Sequence, residues 1–260
     1  MSKNVYITKL SSFLPNEPVD NDEMEDFLGY IGGHSSRIKR IILSQNKIKQ
    51  RYYAIKKGHY THTNAELMAN AIAGLFNDGF TVKDVQLLSC GTSTPDQMMP
   101  SHTSMVHGLL KDSNPIPILS PSGVCCSAAH ALEYCFLSVL SGHTNNAICG
   151  GSELFSPLLR SNIFEEEYKA ISQIQSNPYI AFEKDFLRWM LSDGAGCALL
   201  SDMPSDGISL KVEWIESVSY ANELDVCMSQ GLQNTANGEW TSWKVMCPVD
   251  WQMQSIFAIR

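Results

Sequence analysis

The chain has 260 residues, of which 44% are hydrophobic and 18% charged, and a formal net charge of −8 with a pI near 5.3. This composition can bury a substantial core and reads as an ordinary soluble globular protein, neither disordered nor fibrous. The acidic balance argues against a general nucleic-acid binder, which would carry a basic face of high pI; small molecules or protein partners, and no nucleic acid, are expected.

The opening Met1-Ser2-Lys3-Asn4-Val5-Tyr6-Ile7-Thr8 lacks the long apolar stretch of a signal peptide, and no run approaches a membrane span, so the expected location is cytoplasmic. Val5–Thr8 reads as a first strand and Asn21–Gly29 as a short acidic helix. Thr63-Asn64-Ala65-Glu66 has the spacing of a capping box and opens a helix to about Asn77, with Leu67, Ala71, Ile72 and Leu75 on its apolar side. Val85–Ser89 reads as a buried strand ending at a Gly-Thr-Ser-Thr-Pro turn, followed by a helix over about Ser101–Leu110 and a strand over Ile116–Leu119. A helix from about Cys126 to Ser141 and a strand over Asn146–Gly151 come next, and Ser192-Asp193-Gly194-Ala195-Gly196 leads into a strand over Cys197–Ser201. Strand and helix alternate, so the fold class is α/β with a largely parallel sheet. A strand-rich pattern from Gly207 suggests that a second unit begins there.

Eight cysteines, at 90, 125, 126, 135, 149, 197, 227 and 247, sit mostly in apolar segments and form no Cys-x-x-Cys pair. Reduced thiols fit this better than a disulfide framework or a zinc site, and no metal is expected. Arg37, Lys39, Arg40, Lys47, Lys49, Arg51, Lys56 and Lys57 form a basic stretch, with no acidic residue from Phe27 through Ala65. Such a stretch is either a solvated surface or a docking patch for an acidic partner or a phosphate-bearing arm. Gly194-Ala195-Gly196 lacks the third glycine of a dinucleotide fingerprint and precedes a strand, so it reads as a tight turn. The sequence has no Gly-x-Ser-x-Gly elbow, P-loop or His-Glu-x-x-His helix.

The segment Gly123-Val124-Cys125-Cys126-Ser127-Ala128-Ala129-His130-Ala131-Leu132 is the most informative. A thiol at the buried N-terminus of a helix meets free backbone N–H groups and the positive end of the helix dipole, which stabilise a thiolate. The competing reading is that cysteine here is a small apolar filler.

Four landmarks occur in one order: Gln50-Arg51-Tyr52-Tyr53-Ala54, Gly91-Thr92-Ser93-Thr94-Pro95-Asp96-Gln97-Met98-Met99-Pro100-Ser101, the cysteine helix, and Ser192-Asp193-Gly194-Ala195-Gly196. Together they resemble the thiolase superfamily, specifically its ketoacyl-(acyl carrier protein) synthase III group, up to about Asp202. The resemblance implies a thiolase-like fold, with layered helices around a mostly parallel sheet, residues 1–205 forming the N-terminal half and 206–260 opening an incomplete second half. It also implies a cysteine nucleophile with a leucine seven positions on. Counting back from Leu132 selects Cys125, with Cys126 as the fallback. Cys125 would accept an acyl group from a thioester, giving an acyl-enzyme that a carbanion attacks.

In the family the residue before Pro-Ser, here Met99, lines the acyl pocket across a dimer interface. The resemblance places coenzyme A or acyl carrier protein docking at Arg37, Lys39, Arg40, Lys47, Lys49 and Arg51. No tightly bound cofactor is implied, coenzyme A or phosphopantetheine thioesters are substrates, and a homodimer is expected. Phe13–Val19 and Arg51-Tyr52-Tyr53 look like the dialkylresorcinol and aryl-polyene branch. The family pairs its cysteine with a histidine and an asparagine from the second half, whereas all seven histidines here, at 34, 59, 62, 102, 107, 130 and 143, precede that half. His130 lies five positions along the same helix as Cys125 and points away from it. Besides condensation, a non-catalytic dimer partner and simple acyl transfer are open readings.

Overall fold

The computed structural model describes residues 3–36, 38–56, 58–77, 79–165, 188–224, 229–231, 234, 238–239 and 244–246. In chain order the strands are β1 (Tyr6–Phe13), β2 (Val19–Asp20), β3 (Gln50–Arg51), β4 (Ile55–Lys56), β5 (His59–Tyr60), β6 (Leu88–Gly91), β7 (Ile118–Leu119), β8 (Asn146–Glu153), β9 (Gly194–Ser201), β10 (Leu210–Lys211), β11 (Ser229–Gly231) and β12 (Lys244–Met246); the α-helices are α1 (Met24–Leu28), α2 (Lys39–Asn46), α3 (Asn64–Ala73), α4 (His102–Leu109) and α5 (Ser127–Leu140). The chain divides into two units, one of Met1–Phe27, Gln50–Ser156 and Ser192–Val218, the other of Leu28–Lys49, Pro157–Leu191 and Ser219–Arg260.

The first unit is built on a six-stranded sheet in the order β10-β1-β9-β8-β6-β7. β7, β6 and β8 run parallel, as expected for strands separated by helices. β9 is antiparallel to both β8 and β1, and β10 is antiparallel to β1. Side-chain alternation sends Ile148 of β8 and Cys197 and Leu199 of β9 into one core with Leu67, Met68, Ala71 and Ile72 of α3 and Val106 of α4. Their neighbours Ala147, Cys149, Ala198 and Leu200 pack with Ala131, Cys135 and Val139 of α5. Helices therefore cover both faces, the arrangement that parallel strands require.

The expected capping box forms at α3: Thr63 Oγ1 accepts from Glu66 N–H at 3.2 Å, and the Glu66 carboxylate accepts from Thr63 N–H at 2.8 Å. The expected turn at Gly194-Ala195-Gly196 is instead the first stretch of β9, paired with β8 through Gly151↔Gly196, Ser152↔Ala195 and Glu153↔Gly194. The glycine that this pairing requires is Gly150 of β8, where a Cβ would stand 2.5 Å from Gly196 O. Of the strand-rich pattern expected from Gly207, β10 forms, prolonged by a hydrogen bond from Val212 N–H to Val5 O.

In the second unit, α2 buries Ile42 and Leu43 and ends at Lys47 in the left-handed region, φ +60°. Fully buried Arg188 donates to the carbonyls of Leu159, Leu28 and Gly29. Lys39 Nζ stands 5.7 Å over the ring of Trp189. β11 and β12 pair antiparallel. No described helix is long and apolar enough to cross a membrane.

Candidate active site

Cys125 lies in a tight turn just before α5. Its φ is +66°, and the Cys126 amide donates across it to Val124 O at 2.9 Å. A three-residue turn with a positive-φ, non-glycine centre is strained, a state that persists only where the surroundings impose it. Cys126 caps α5 without a side-chain hydrogen bond, and the first helical bond runs from His130 N–H to Cys126 O at 3.0 Å. The amides of Ser127, Ala128 and Ala129 thus precede the helical ladder and bring the positive end of the dipole to the two thiols. Both thiols are exposed. The expectation of a buried helix start is corrected here: α5 buries Ser127, Ala131, Cys135 and Val139, whereas Ala128 and Ala129 beside the cysteines face outward among the described residues.

Two glycines seat this turn on the sheet. A Cβ on Gly91, the last residue of β6, would stand 2.3 Å from the Ser127 carbonyl carbon and oxygen, and a Cβ on Gly151 of β8 would stand 2.6 Å from Ala128 Cβ. A parallel bridge between Thr92 and Ser122 ties the approach to the turn to the end of β6. The cysteines therefore sit at the carboxyl ends of parallel strands, where open α/β sheets place ligand sites. An open cleft of about 540 Å³ between α5 and the sheet is lined by Ile7, Leu10, Ala128, Leu132, Gly151 and Ala198, among others, and by neither Cys125 nor Cys126.

The other landmarks converge on two carboxylates. Asp193 Oδ2 accepts from Ala54 N–H at 2.7 Å, and Oδ1 from Phe155 N–H at 2.7 Å and Ser156 N–H at 2.8 Å. Asp193 N–H and Ser192 Oγ both donate to Tyr52 O, at 2.8 and 2.9 Å, so the first and fourth landmarks are clipped together. Burial pushes the Asp193 carboxyl upward in pKa, opposed by these hydrogen bonds.

Glu153, at the end of β8, accepts from Ser93 N–H (2.8 Å), Ser93 Oγ (2.7 Å) and Thr94 Oγ1 (2.6 Å). Asp96 accepts the first amides of α3, those of Asn64 and Ala65, at 2.7 and 2.9 Å. His102 is buried with Nε2 3.0 Å from Ser152 Oγ and, among the described residues, no hydrogen-bond partner on Nδ1. Its desolvation lowers its pKa to about 4 against an opposing pull from Asp96. Sequence reading assigned no role to Asp193, Glu153, Asp96 or His102; Asp96 and Asp193 stood inside quoted landmarks and His102 directly after one, whereas Glu153, after Gly150-Gly151-Ser152, carried no signal.

Met99 is 82% exposed in the segment between β6 and α4. Arg40, Lys47 and Lys49 are exposed and Lys39 half-buried, all in the second unit; Arg37 and Lys57 lie outside the described residues. Arg51 is corrected: it belongs to the first unit, pairs with Val19 in the β2–β3 ribbon and is 1% exposed. Its side chain is turned into the protein, where Nη1 donates to Gln50 O at 3.1 Å, so it cannot form part of an exposed docking face. Among the described residues no hydrogen bond joins Cys125 or Cys126 to a histidine: His62 meets Thr61, His102 meets Ser152, and His107 meets Ser113 and Asn114. His130 is half-buried on α5. Among the described residues, no group of three or more metal-ligating side chains could hold a metal ion.

No protein-family model matches the chain. It is 26% identical over 203 residues to β-ketoacyl-[acyl-carrier-protein] synthase III 1 of Deinococcus radiodurans, covering 78% of this chain and 50% of that protein. It is 29% identical over 150 residues to the β-ketoacyl-[acyl-carrier-protein] synthase III of Rickettsia massiliae, covering 58% and 44%. Among solved structures it superposes on the tetronic acid condensing enzyme AbyA1 with a TM-score of 0.59 at 24% identity, covering 78% and 56% of the two chains. On cerulenin-bound OleA of Xanthomonas campestris the TM-score is 0.57 at 15% identity, with 77% and 57% covered. The chain spans about half the length of the curated relatives it matches. In sequence it is similar to ketoacyl synthase III proteins, and its fold is that of these condensing enzymes.

Proposed function

We propose that the chain carries the acyl-loading half of a ketoacyl synthase III-type condensing acyltransferase, with Cys125 as nucleophile. The observation that carries this reading is the strained, exposed turn that presents Cys125 at the start of α5, over the ends of β6 and β8. The Cys125 thiolate attacks the thioester carbonyl, and the tetrahedral intermediate expels the coenzyme A or phosphopantetheine thiolate, which takes up a proton. The product is a thioester on Cys125, so one difficult step is divided into two easier ones. In the second step a carbanion attacks this acyl group and Cys125 leaves. The groups that stabilise the carbanion are proposed to lie outside the site described, since among the described residues no hydrogen bond links Cys125 to a histidine. The same reading takes residues 1–205 as the N-terminal half and 206–260 as the opening of the second.

Lys39, Arg40, Lys47 and Lys49, with Arg37, are proposed to meet the acidic carrier or the phosphates of coenzyme A, and Met99 to line the acyl pocket of a second copy in a homodimer. The test is intact mass after incubation with a panel of acyl-coenzyme A thioesters. An acyl adduct is expected on the wild type and on Cys126→Ala and not on Cys125→Ala; an adduct that survives Cys125→Ala refutes the assignment. Adding a β-carboxyacyl thioester that can lose carbon dioxide then separates condensation, which releases a lengthened product, from simple acyl transfer, which leaves the adduct in place.

A further inference from the structure

Four of the described cysteines are inert by placement: Cys90, Cys135, Cys149 and Cys197 are buried in the two cores. Desolvation raises the thiol pKa of Cys90 and Cys135 and pushes that of Cys197 up to about 12, which keeps them as unreactive thiols. Cys125 and Cys126 are the opposite case, two free thiols, adjacent in the chain and both exposed. The turn that displays Cys125 is closed by the amide of Cys126, and Cys126 Sγ folds back to within 3.9 Å of the position a Cβ would take on Gly123. The second thiol therefore lies over the turn that carries Cys125. Exposed thiols poised beside a second cysteine are those that oxidise reversibly.

We propose that Cys126 is a resolving thiol for Cys125, so that a hydroperoxide oxidises the pair to a vicinal disulfide and reversibly blocks the nucleophile. In the first step Cys125 sulfur attacks a peroxide oxygen: an S–O bond forms, the O–O bond breaks and hydroxide leaves, giving a sulfenic acid. Cys126 sulfur then attacks Cys125 sulfur: the S–S bond forms, the S–O bond breaks, and the departing hydroxide takes the Cys126 proton. Two thiols are oxidised by two electrons and hydrogen peroxide is reduced to two waters. Adjacent Cα atoms are only about 3.8 Å apart, below the roughly 4.4–6.8 Å that disulfides prefer. The bridge is therefore strained and readily returned to two thiols by a dithiol. The inference rests on two neighbouring exposed thiols and not on acyl transfer, so either reading can fail alone.

The experiment treats the whole chain with graded hydrogen peroxide, with and without dimedone, and maps the peptide carrying both cysteines by mass spectrometry. The wild-type peptide is expected to lose two hydrogens, to resist dimedone and to be restored fully by dithiothreitol. Cys126→Ser is expected instead to trap dimedone at Cys125 and, without it, to gain two or three oxygens there that dithiothreitol does not remove. The proposal is overturned if wild-type Cys125 accumulates irreversible oxygen adducts as fast as the Cys126→Ser variant, if the only disulfide links two chains, or if neither thiol reacts.

Discussion

Replacing Gly91 by alanine tests the seating of the cysteine turn. The added methyl would sit 2.3 Å from the Ser127 carbonyl carbon and oxygen and 2.8 Å from the Ala128 nitrogen, against about 3.5–4.0 Å at an unstrained contact. All three atoms are backbone, so no side-chain rotation relieves the clash and the first turn of α5 must lift off β6. Overpacking of this kind costs about 1–3 kcal/mol, and with only backbone to give way the upper end applies, about 3 kcal/mol. At roughly 2–4 °C per kcal/mol for a protein of this size the melting midpoint falls by about 6–12 °C. Because Ser127 is two residues from Cys125, the nucleophile moves with it, and a displacement of about 1 Å is enough to slow an oriented reaction about 100-fold. The assays are thermal melting by circular dichroism and the rate of acyl-adduct formation. Gly108→Ala in α4, where a Cβ meets nothing within 4 Å, is the control and is expected to raise stability by about 1 kcal/mol. A Gly91→Ala protein that melts and acylates like the wild type refutes the reasoning.

Three further outcomes follow from the buried polar groups and the helix cap. His102 is held neutral by burial, with a folded pKa of about 4 against about 6.5 unfolded; the unfolded chain binds the extra proton first, so stability present above pH about 6.5 is lost as the pH falls towards 4, by about 3 kcal/mol. His102→Gln should flatten the melting-midpoint curve across that window, and an unchanged slope would count against the assignment. Glu153→Gln puts amide hydrogens towards a site where Ser93 N–H and Thr94 Oγ1 both donate, leaving a donor unpaired at a cost of about 1.5–3 kcal/mol, read as a lower urea midpoint at unchanged m-value. Thr63→Ala removes the acceptor for Glu66 N–H and should cost about 1 kcal/mol, restored by Thr63→Ser.

What was legible in the sequence was local or periodic. The box at Thr63 and Glu66 needs only a spacing of three, and the cysteine helix was placed to within a residue at each end because its apolar and small residues repeat at helical period. Gly194-Ala195-Gly196 was misread because a glycine inside a strand looks the same in one dimension as a glycine in a turn; only the pairing with β8 distinguishes them. Arg51 was grouped with its basic neighbours because charge along the chain does not reveal which side chain faces inward. Asp193 drew no role because its hydrogen-bond donors come from Ala54, Phe155 and Ser156, none adjacent to it in sequence.

That Asp193 clip also constrains how the protein is made. Ala54 and Asp193 are separated by 139 positions, and at about 5–20 residues per second the ribosome delivers the carboxylate roughly 7–28 s after the amide it must receive. Until then the Tyr52 carbonyl and the Ala54 amide lack the partners that Ser192 and Asp193 supply, and β1 lacks β9, the neighbour that separates it from β8. A nascent chain stalled before residue 193 therefore presents an open sheet edge, the feature that chaperones shield and that pairs wrongly when they do not.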